Sequence, residues 1–361
     1  MIRVLVINPG STSTKVGIFL ESPSGQPVLE TKKHIFHDVS VLQNYEHLID
    51  QVEMRKSDIV SFIRESEVSL EEFDAFAARG GILPPLPGGT YEVNEDMVDY
   101  LKNRSPIEHA SNLAAVIAFE FAQKTGKKAY ITDPVSVDEF ETDARYSGIP
   151  GIERKSFIHA LNMKAVSRIV SKEIGKPYEE CNFVVAHLGG GISIGALKKG
   201  RFVDVNNAND EGPFSSERTG ELPVGDVVKL CYSNEYSAKD LKKMFTKQGG
   251  LIAYLNTNDL RIAYALSKND TQAMEVIEAM AFQIAKEIGG MCAVLHGEID
   301  SIILTGGMAH HITFVEKIKE YIYSYGLVTI VPGEDELQAL AEGTFSVLQK
   351  KEAPRKFELQ R

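Results

Sequence analysis

Short apolar runs broken by glycine-bearing turns dominate the start of the chain. Ile2, Val4, Leu5, Val6 and Ile7 read as a buried strand, and Val16, Gly17, Ile18 and Phe19 as a second strand returning beside it. Val28 to Phe36, with alternating polar positions, predicts a third, so a small antiparallel sheet is expected to open the fold. Asn44 to Glu65 carries Leu48, Ile49, Val52, Ile59, Phe62 and Ile63 at broadly helical spacing, and Phe73 to Ala78 is short, apolar and strand-like. After the rigid loop Pro84 to Gly89, the pattern predicts helices over Asn94 to Lys102 and Glu108 to Lys124, then a strand over Ala129 to Thr132. A turn-rich, carboxylate-rich loop from Ser136 to Ile152 suggests a domain boundary near residue 150.

The second half repeats this plan. A helix over Ser156 to Ile174 precedes a buried strand, Asn182 to His187, which runs into the turn His187-Leu188-Gly189-Gly190-Gly191 and a returning strand. Helices over Asp270 to Leu295 and His311 to Tyr325 alternate with strands over Ser301 to Thr305 and Val328 to Val331, and Glu336 to Gln349 forms a last helix. Two strand-turn-strand units half a chain apart predict a duplicated α/β domain: residues 1–150, joined by the C-terminal segment 336–361, and residues 151–335.

Composition narrows the class. A chain of 361 residues with 43% hydrophobic and 25% charged residues can build two sizeable cores. A formal net charge of -11 argues against nucleic acid or an anionic membrane as partner, and no window reaches the length of a membrane span. Three scattered cysteines, Cys181, Cys231 and Cys292, fit neither a disulfide framework nor a zinc site, so a cytoplasmic location is expected.

The first turn, Asn8-Pro9-Gly10-Ser11-Thr12-Ser13-Thr14-Lys15, offers small donors and one cation, an inventory able to grip phosphate oxygens and equally that of an ordinary polar turn. Thr305-Gly306-Gly307-Met308 ends a strand with glycines that let a backbone lie flat against a planar ring, such as a nucleotide base. Neither Gly-x-x-x-x-Gly-Lys-Ser/Thr nor His-Arg-Asp occurs, which excludes the P-loop and protein-kinase patterns. The pair His310-His311 lacks a third ligand at metal-binding spacing.

Asn8 to Lys15, His187 to Gly191 and Leu304 to Gly307 resemble the two phosphate motifs and the adenosine motif of the acetate and sugar kinase, Hsp70 and actin superfamily. Arg79-Gly80-Gly81, Thr132-Asp133-Pro134, His159 and Ser216-Glu217-Arg218-Thr219-Gly220-Glu221 narrow the resemblance to the acetokinase family, and to its butyrate kinases in particular. It implies two duplicated actin-like (ribonuclease H-like) domains with mixed sheets, a nucleotide cleft between them that closes on substrate, and a homodimer or higher homo-oligomer. The implied reaction is ATP plus a short-chain carboxylate giving ADP plus an acyl phosphate, with Mg2+.

Residue by residue, Arg79 and Arg218 resemble the pair that straddles the carboxylate and the migrating phosphoryl group. His159 resembles the histidine that donates to that group, and Asp133 the carboxylate that orients metal-bound water. Asn8, Ser11, Ser13, Lys15, His187, Gly189, Gly190 and Gly191 would hold phosphates. Asp259, Arg261, Gly306 and Gly307 would flank adenosine, and Glu336 with Asp133 would serve the metal, with Glu334 close enough to exchange roles with Glu336.

Two departures from acetate kinases stand out. Gly190 replaces a usual Asn, and Gly80-Gly81 with Ile158 replace bulkier residues, so the acyl pocket is expected to be enlarged there. A sugar kinase or a non-metabolic ATPase of the same superfamily remains open, although the arginine pair suits a carboxylate rather than a neutral sugar.

Overall fold

Two mixed sheets organise the chain, and five strands of one repeat the order and direction of the other. The computed structural model describes residues 1–359, so the last two positions of the 336–361 segment lie outside the described residues. The chain divides into two compact units, Met1–Val137 with the segment from Asp335 onward, and Asp138–Glu334. The first boundary falls before the expected break near residue 150. Asp138 pairs with Arg145, the Glu141 N–H donates to Val203 O, and Arg154 pairs with Asp204 and Glu211, all of which tie the 138–154 loop into the second unit.

In the first unit, β1 (Arg3–Pro9), β2 (Ser13–Glu21), β3 (Pro27–Phe36), β4 (Ala75–Ala78), β5 (Thr90–Glu92), β6 (Lys128–Thr132) and β12 (Arg355–Lys356) form a sheet of order β12-β5-β6-β4-β1-β2-β3. The expected antiparallel opening is one edge of this larger sheet, because β4 adds to β1 in parallel. Alternation along β1 decides its two faces. Leu5 and Ile7 join a core with helices Val52–Glu65 and Asn112–Thr125, while helix Glu336–Leu348 packs against β1, β4 and β6.

The second unit contains β7 (Asn182–Leu188), β8 (Ile192–Lys198), β9 (Arg201–Val205), β10 (Ser301–Gly306) and β11 (Val328–Pro332) in the order β11-β10-β7-β8-β9. The steps β11-β10-β7 are parallel and β7-β8-β9 antiparallel, as in β6-β4-β1 and β1-β2-β3. Val184, Ala186, Ile302 and Leu304 face the core shared with helices Thr271–Val294 and Ile312–Ile322. Helix Ala160–Glu173 packs on β7 and β10.

Several elements differ from the sequence pattern. Strands β5, β9 and β12 are too short or too polar to stand out, and four helices between Val224 and Leu266 lack a long apolar stripe. The helix expected from Asn94 to Lys102 is a single turn, Glu95–Asp99, running into a π-helical turn, Tyr100–Arg104. The helix expected from Glu108 starts at Asn112, after His109 accepts a hydrogen bond from the Ser111 N–H through Nδ1.

The expected extra room at Gly80 and Gly81 is already filled. A Cβ on Gly80 would lie 2.4 Å from Pro134 Cβ, and one on Gly81 would lie 2.6 Å from both Asn112 Oδ1 and Leu101 Cδ2. Asn112 cannot step aside cheaply, because its Oδ1 accepts from the Ile82 N–H at 2.8 Å and its Nδ2 donates to Ile107 O at 3.0 Å. The bulk absent from these glycines is supplied by neighbours, so neither position opens a pocket. Gly81→Val is therefore expected to overpack the core and lower unfolding free energy by about 1–3 kcal/mol or more. Urea unfolding checks this, and a Gly81→Val chain of wild-type stability would restore the open-space reading.

Candidate active site

The turn between β1 and β2 is held from behind. Arg55, on the apolar face of helix Val52–Glu65, is fully buried and donates to Gly10 O, Ser11 O, Ser13 O and Thr14 Oγ1 at 2.9–3.1 Å. Burial pushes its guanidinium down to about 10, with Asp58 opposing. Buried His37 meets Thr14 Oγ1 through Nε2 at 2.8 Å, and its Nδ1 lies 3.3 Å from Asp58. Ser13 Oγ meets His34 Nε2, while Lys15 remains exposed. Of the expected phosphate-turn residues, Asn8 does something different: its side-chain amide donates to Glu336 Oε2 at 2.6 Å.

Glu336 begins the last helix, whose N-cap Asp335 accepts from the Gln338 N–H. Its Oε1 pairs with Arg79 Nη1 just past the end of β4. Three residues far apart in sequence, Asn8, Arg79 and Glu336, therefore meet within the first unit. Asp133, at φ +41 directly after β6, is buried and accepts from the Gly89 N–H through Oδ1 at 2.7 Å. That bond fixes the left-handed backbone beside Pro134.

In the second unit, His159 caps its helix instead of lying one turn inside it. The helix begins at Ala160, with His159 O accepting the Met163 N–H, and upstream Arg154 is anchored to Asp204, Glu211 and the carbonyls of Ala144 and Val205. His159 Nδ1 meets Ser193 Oγ at 2.9 Å, and its ring stacks on His187 at 4.0 Å with an 8° interplanar angle. His187 is buried, with Nδ1 meeting Asn162 Nδ2 at 2.8 Å and Nε2 lying 3.7 Å from Glu334. Asn162 also donates to Thr305 Oγ1, which links the end of β7 to the end of β10. Ile158 is buried beside this group in sequence.

The second glycine turn is packed against the SSERTG segment. A Cβ on Gly189 would lie 3.2 Å from His187 Nε2, one on Gly190 3.1 Å from Glu217 Oε1, and one on Gly191 only 2.7 Å from Arg218 Cζ. Arg218 donates through Nη1 to the neutral Asn209 Oδ1 at 2.7 Å. Burial pushes its guanidinium below the usual arginine value, while Glu217 and Asp210 act the other way. Ser215 Oγ donates to Gly190 O and accepts from the Arg218 N–H, closing the contact.

At the end of β10, Gly306 has φ +87, and a Cβ there would fall 2.5 Å from Leu188 O; a Cβ on Gly307 would meet nothing within 4 Å. Asp259 and Arg261 pair with each other at the start of a short helix. The Asp259 carboxyl is held at about 2, chiefly by its side-chain bond to Arg261, with the backbone N–H of Arg261 adding to it. No hydrogen bond among the described residues joins this pair to Gly306 or Gly307, although Asn258 reaches Glu217 at 3.4 Å.

No group of three or more His, Cys, Asp or Glu side chains able to hold a metal occurs among the described residues. Glu336 keeps lone pairs on both oxygens despite its two partners. No helix among the described residues is long and apolar enough to cross a membrane.

Sequence reasoning missed Arg55, Asn162, Ser193 and Asn209. Arg55 was detectable: it occupies the buried stripe Val52, Arg55, Ile59, Phe62, where an apolar residue belongs. Asn162, three residues beyond His159 on a buried helix face, carried a weaker form of the same signal.

The sequence profile of the acetokinase family matches residues 133–353. The chain is 55% identical over 352 residues to "Probable butyrate kinase 1" of Thermotoga maritima, covering 98% of this chain and 97% of that relative. Among solved structures, acetate kinase of Porphyromonas gingivalis aligns with a TM-score of 0.76 at 22% identity, over 96% of this chain and 100% of that one. A propionate kinase of Francisella tularensis aligns at 0.74 and 19% identity, over 95% and 99% of the two chains. With its two mixed sheets of actin-like topology, the chain belongs to the acetokinase family of carboxylate kinases.

Proposed function

We propose that this enzyme transfers the γ-phosphoryl group of ATP to butyrate, reversibly, forming butanoyl phosphate and ADP. One observation carries the reading: Arg218, a half-buried guanidinium whose side-chain partner is a neutral amide, is packed against the glycine turn at Gly191. A desolvated cation of this kind is matched to an anion arriving from solution.

The roles follow from what each group can donate. The butyrate carboxylate is already a nucleophile at neutral pH, so the protein supplies alignment and positive charge in place of a base. Arg218 and Arg79 bind the phosphoryl group and the carboxylate through paired N–H donors. His159, with Nδ1 engaged by Ser193, directs its other nitrogen at the phosphoryl oxygens. Ser11, Ser13, Lys15 and the Gly189–Gly191 backbone receive the nucleotide phosphates, and Gly306-Gly307 the adenosine, with Asp259 and Arg261 at its flank. Backbone donors at Gly190 do the work of the missing amide. Glu336 would be the carboxylate offered to Mg2+, with Glu334 tied to His187, and Asp133 would orient water around a bound ion. When bound, Mg2+ neutralises phosphate charge.

Butyrate is preferred here on the strength of the 55% identical relative's name, since the glycine argument for a larger pocket does not survive the packing. The alternative acids are isobutyrate, propionate and acetate. The exposed stripe Val224, Val228 and Tyr232, spaced one helical turn apart, supports a homo-oligomer.

Trapping acyl phosphate with hydroxylamine, ATP and acids from acetate to valerate tests the substrate. Two extra buried methylenes at about 0.8 kcal/mol each should favour butyrate over acetate by roughly tenfold in kcat/KM. No hydroxamate from any acid would remove the reading. Arg218→Ala should lower kcat on the order of 10²-fold to 10³-fold and leave ADP affinity near wild type by calorimetry. Weakened ADP binding with normal turnover would put Arg218 at the nucleotide instead.

A further inference from the structure

Every nitrogen of the Arg55 guanidinium is committed, and the direction of those bonds has a consequence for the opposite side of the turn. Nη1 donates to Gly10 O, Ser13 O and Thr14 Oγ1, Nη2 to Ser11 O and Gln51 Oε1, and Nε to Gln51 Oε1. A trans peptide holds its C=O and N–H antiparallel. Turning the Gly10 and Ser11 carbonyls onto Arg55 therefore aims the Ser11 and Thr12 N–H groups the other way, toward the side where both residues are exposed. The carbonyl lone pairs that would repel an anion are occupied at the back, and the donors that would attract it are at the front.

Charge points the same way. Among the described residues no carboxylate lies within ion-pair distance of Arg55, and Asp58 offsets its charge only in part and from farther away. A purely structural clamp would not need that charge, since burying it unpaired is costly and a neutral donor could bond the same carbonyls. An anion on the exposed face of the turn gives it a use.

We propose that Arg55 is a positioning residue for nucleotide phosphate. It orients the Gly10–Thr14 backbone so that the turn presents N–H groups outward, and it adds a buried positive charge behind them. Gln51 holds the guanidinium in plane, and His37, between Thr14 and Asp58, fixes the far side of the turn. This rests on the reading of the turn as a phosphate site.

Full-length Arg55→Met, Arg55→Lys, Gln51→Met and Lys15→Ala variants are compared for binding of ADP and of adenosine, which lacks phosphate, with melting curves recorded alongside. Arg55→Met should weaken ADP by about tenfold or more and leave adenosine unchanged. Arg55→Lys, keeping the charge with fewer donors, should recover part of that loss, and KM for ATP should rise more than kcat falls. Gln51→Met, with Arg55 intact but unsupported, should weaken ADP several-fold, which keeps the test decisive where an Arg55 variant does not fold. Wild-type ADP affinity in any folded Arg55 variant, or in Gln51→Met, overturns the proposal. Lys15→Ala separates the two layers: if it weakens ADP while the Arg55 and Gln51 variants do not, only the role of Arg55 falls. If Lys15→Ala leaves ADP untouched, the phosphate turn itself is misassigned.

Discussion

A guanidinium occupies the space that a side chain at residue 191 would need. With only 2.7 Å between an ideal Cβ there and Arg218 Cζ, any residue but glycine drives the arginine from its seat. The rest of the second site is built around that approach. Ser215 closes it from the backbone, Asn209 receives the guanidinium, and Glu217 lies against Gly190. On the neighbouring strand end, His187 fills the flank of Gly189 and carries His159 on its ring. The strand pair β7-β8 supplies the rigidity that lets so crowded a turn hold one geometry.

Each unit solves the same problem with different chemistry. The first strand pair ends in a hydroxyl-rich turn fixed by one buried arginine beneath it. The second ends in a glycine-rich turn fixed by an arginine, a glutamate and a histidine packed alongside. Shared strand order with unshared support is what duplication followed by specialisation of the halves leaves behind. One half keeps donors on its own side chains; the other brings them in from later in the chain.

What was legible in the sequence was local. The apolar runs of β1, β7 and β10 identified the strands, and turn residues identified the turns, because both depend on neighbours a few positions away. The pairing of Asn8 and Arg79 with Glu336 was hidden, since nothing in either segment records a partner hundreds of residues distant. Gly80 and Gly81 misled for a related reason. A missing side chain reads as space in one dimension, whereas in three dimensions Pro134, Leu101 and Asn112 decide whether space exists. His159 was assigned to a helix interior because periodicity does not fix where a helix starts; the helix begins one residue later, at Ala160.

The last helix also dictates an order of assembly. Leu337, Leu340 and Phe345 are buried in the first unit, and β12 completes its sheet, yet all of these residues are made after the whole of the second unit. A chain emerging from the ribosome can finish the later unit while the earlier one still lacks a helix, an edge strand and the carboxylate that engages Arg79. A growing polypeptide thus cannot carry a finished Arg79 site ahead of its own completion, and a message truncated near its end leaves the N-terminal half open, exposing the apolar face that the helix from Glu336 to Leu348 would have covered.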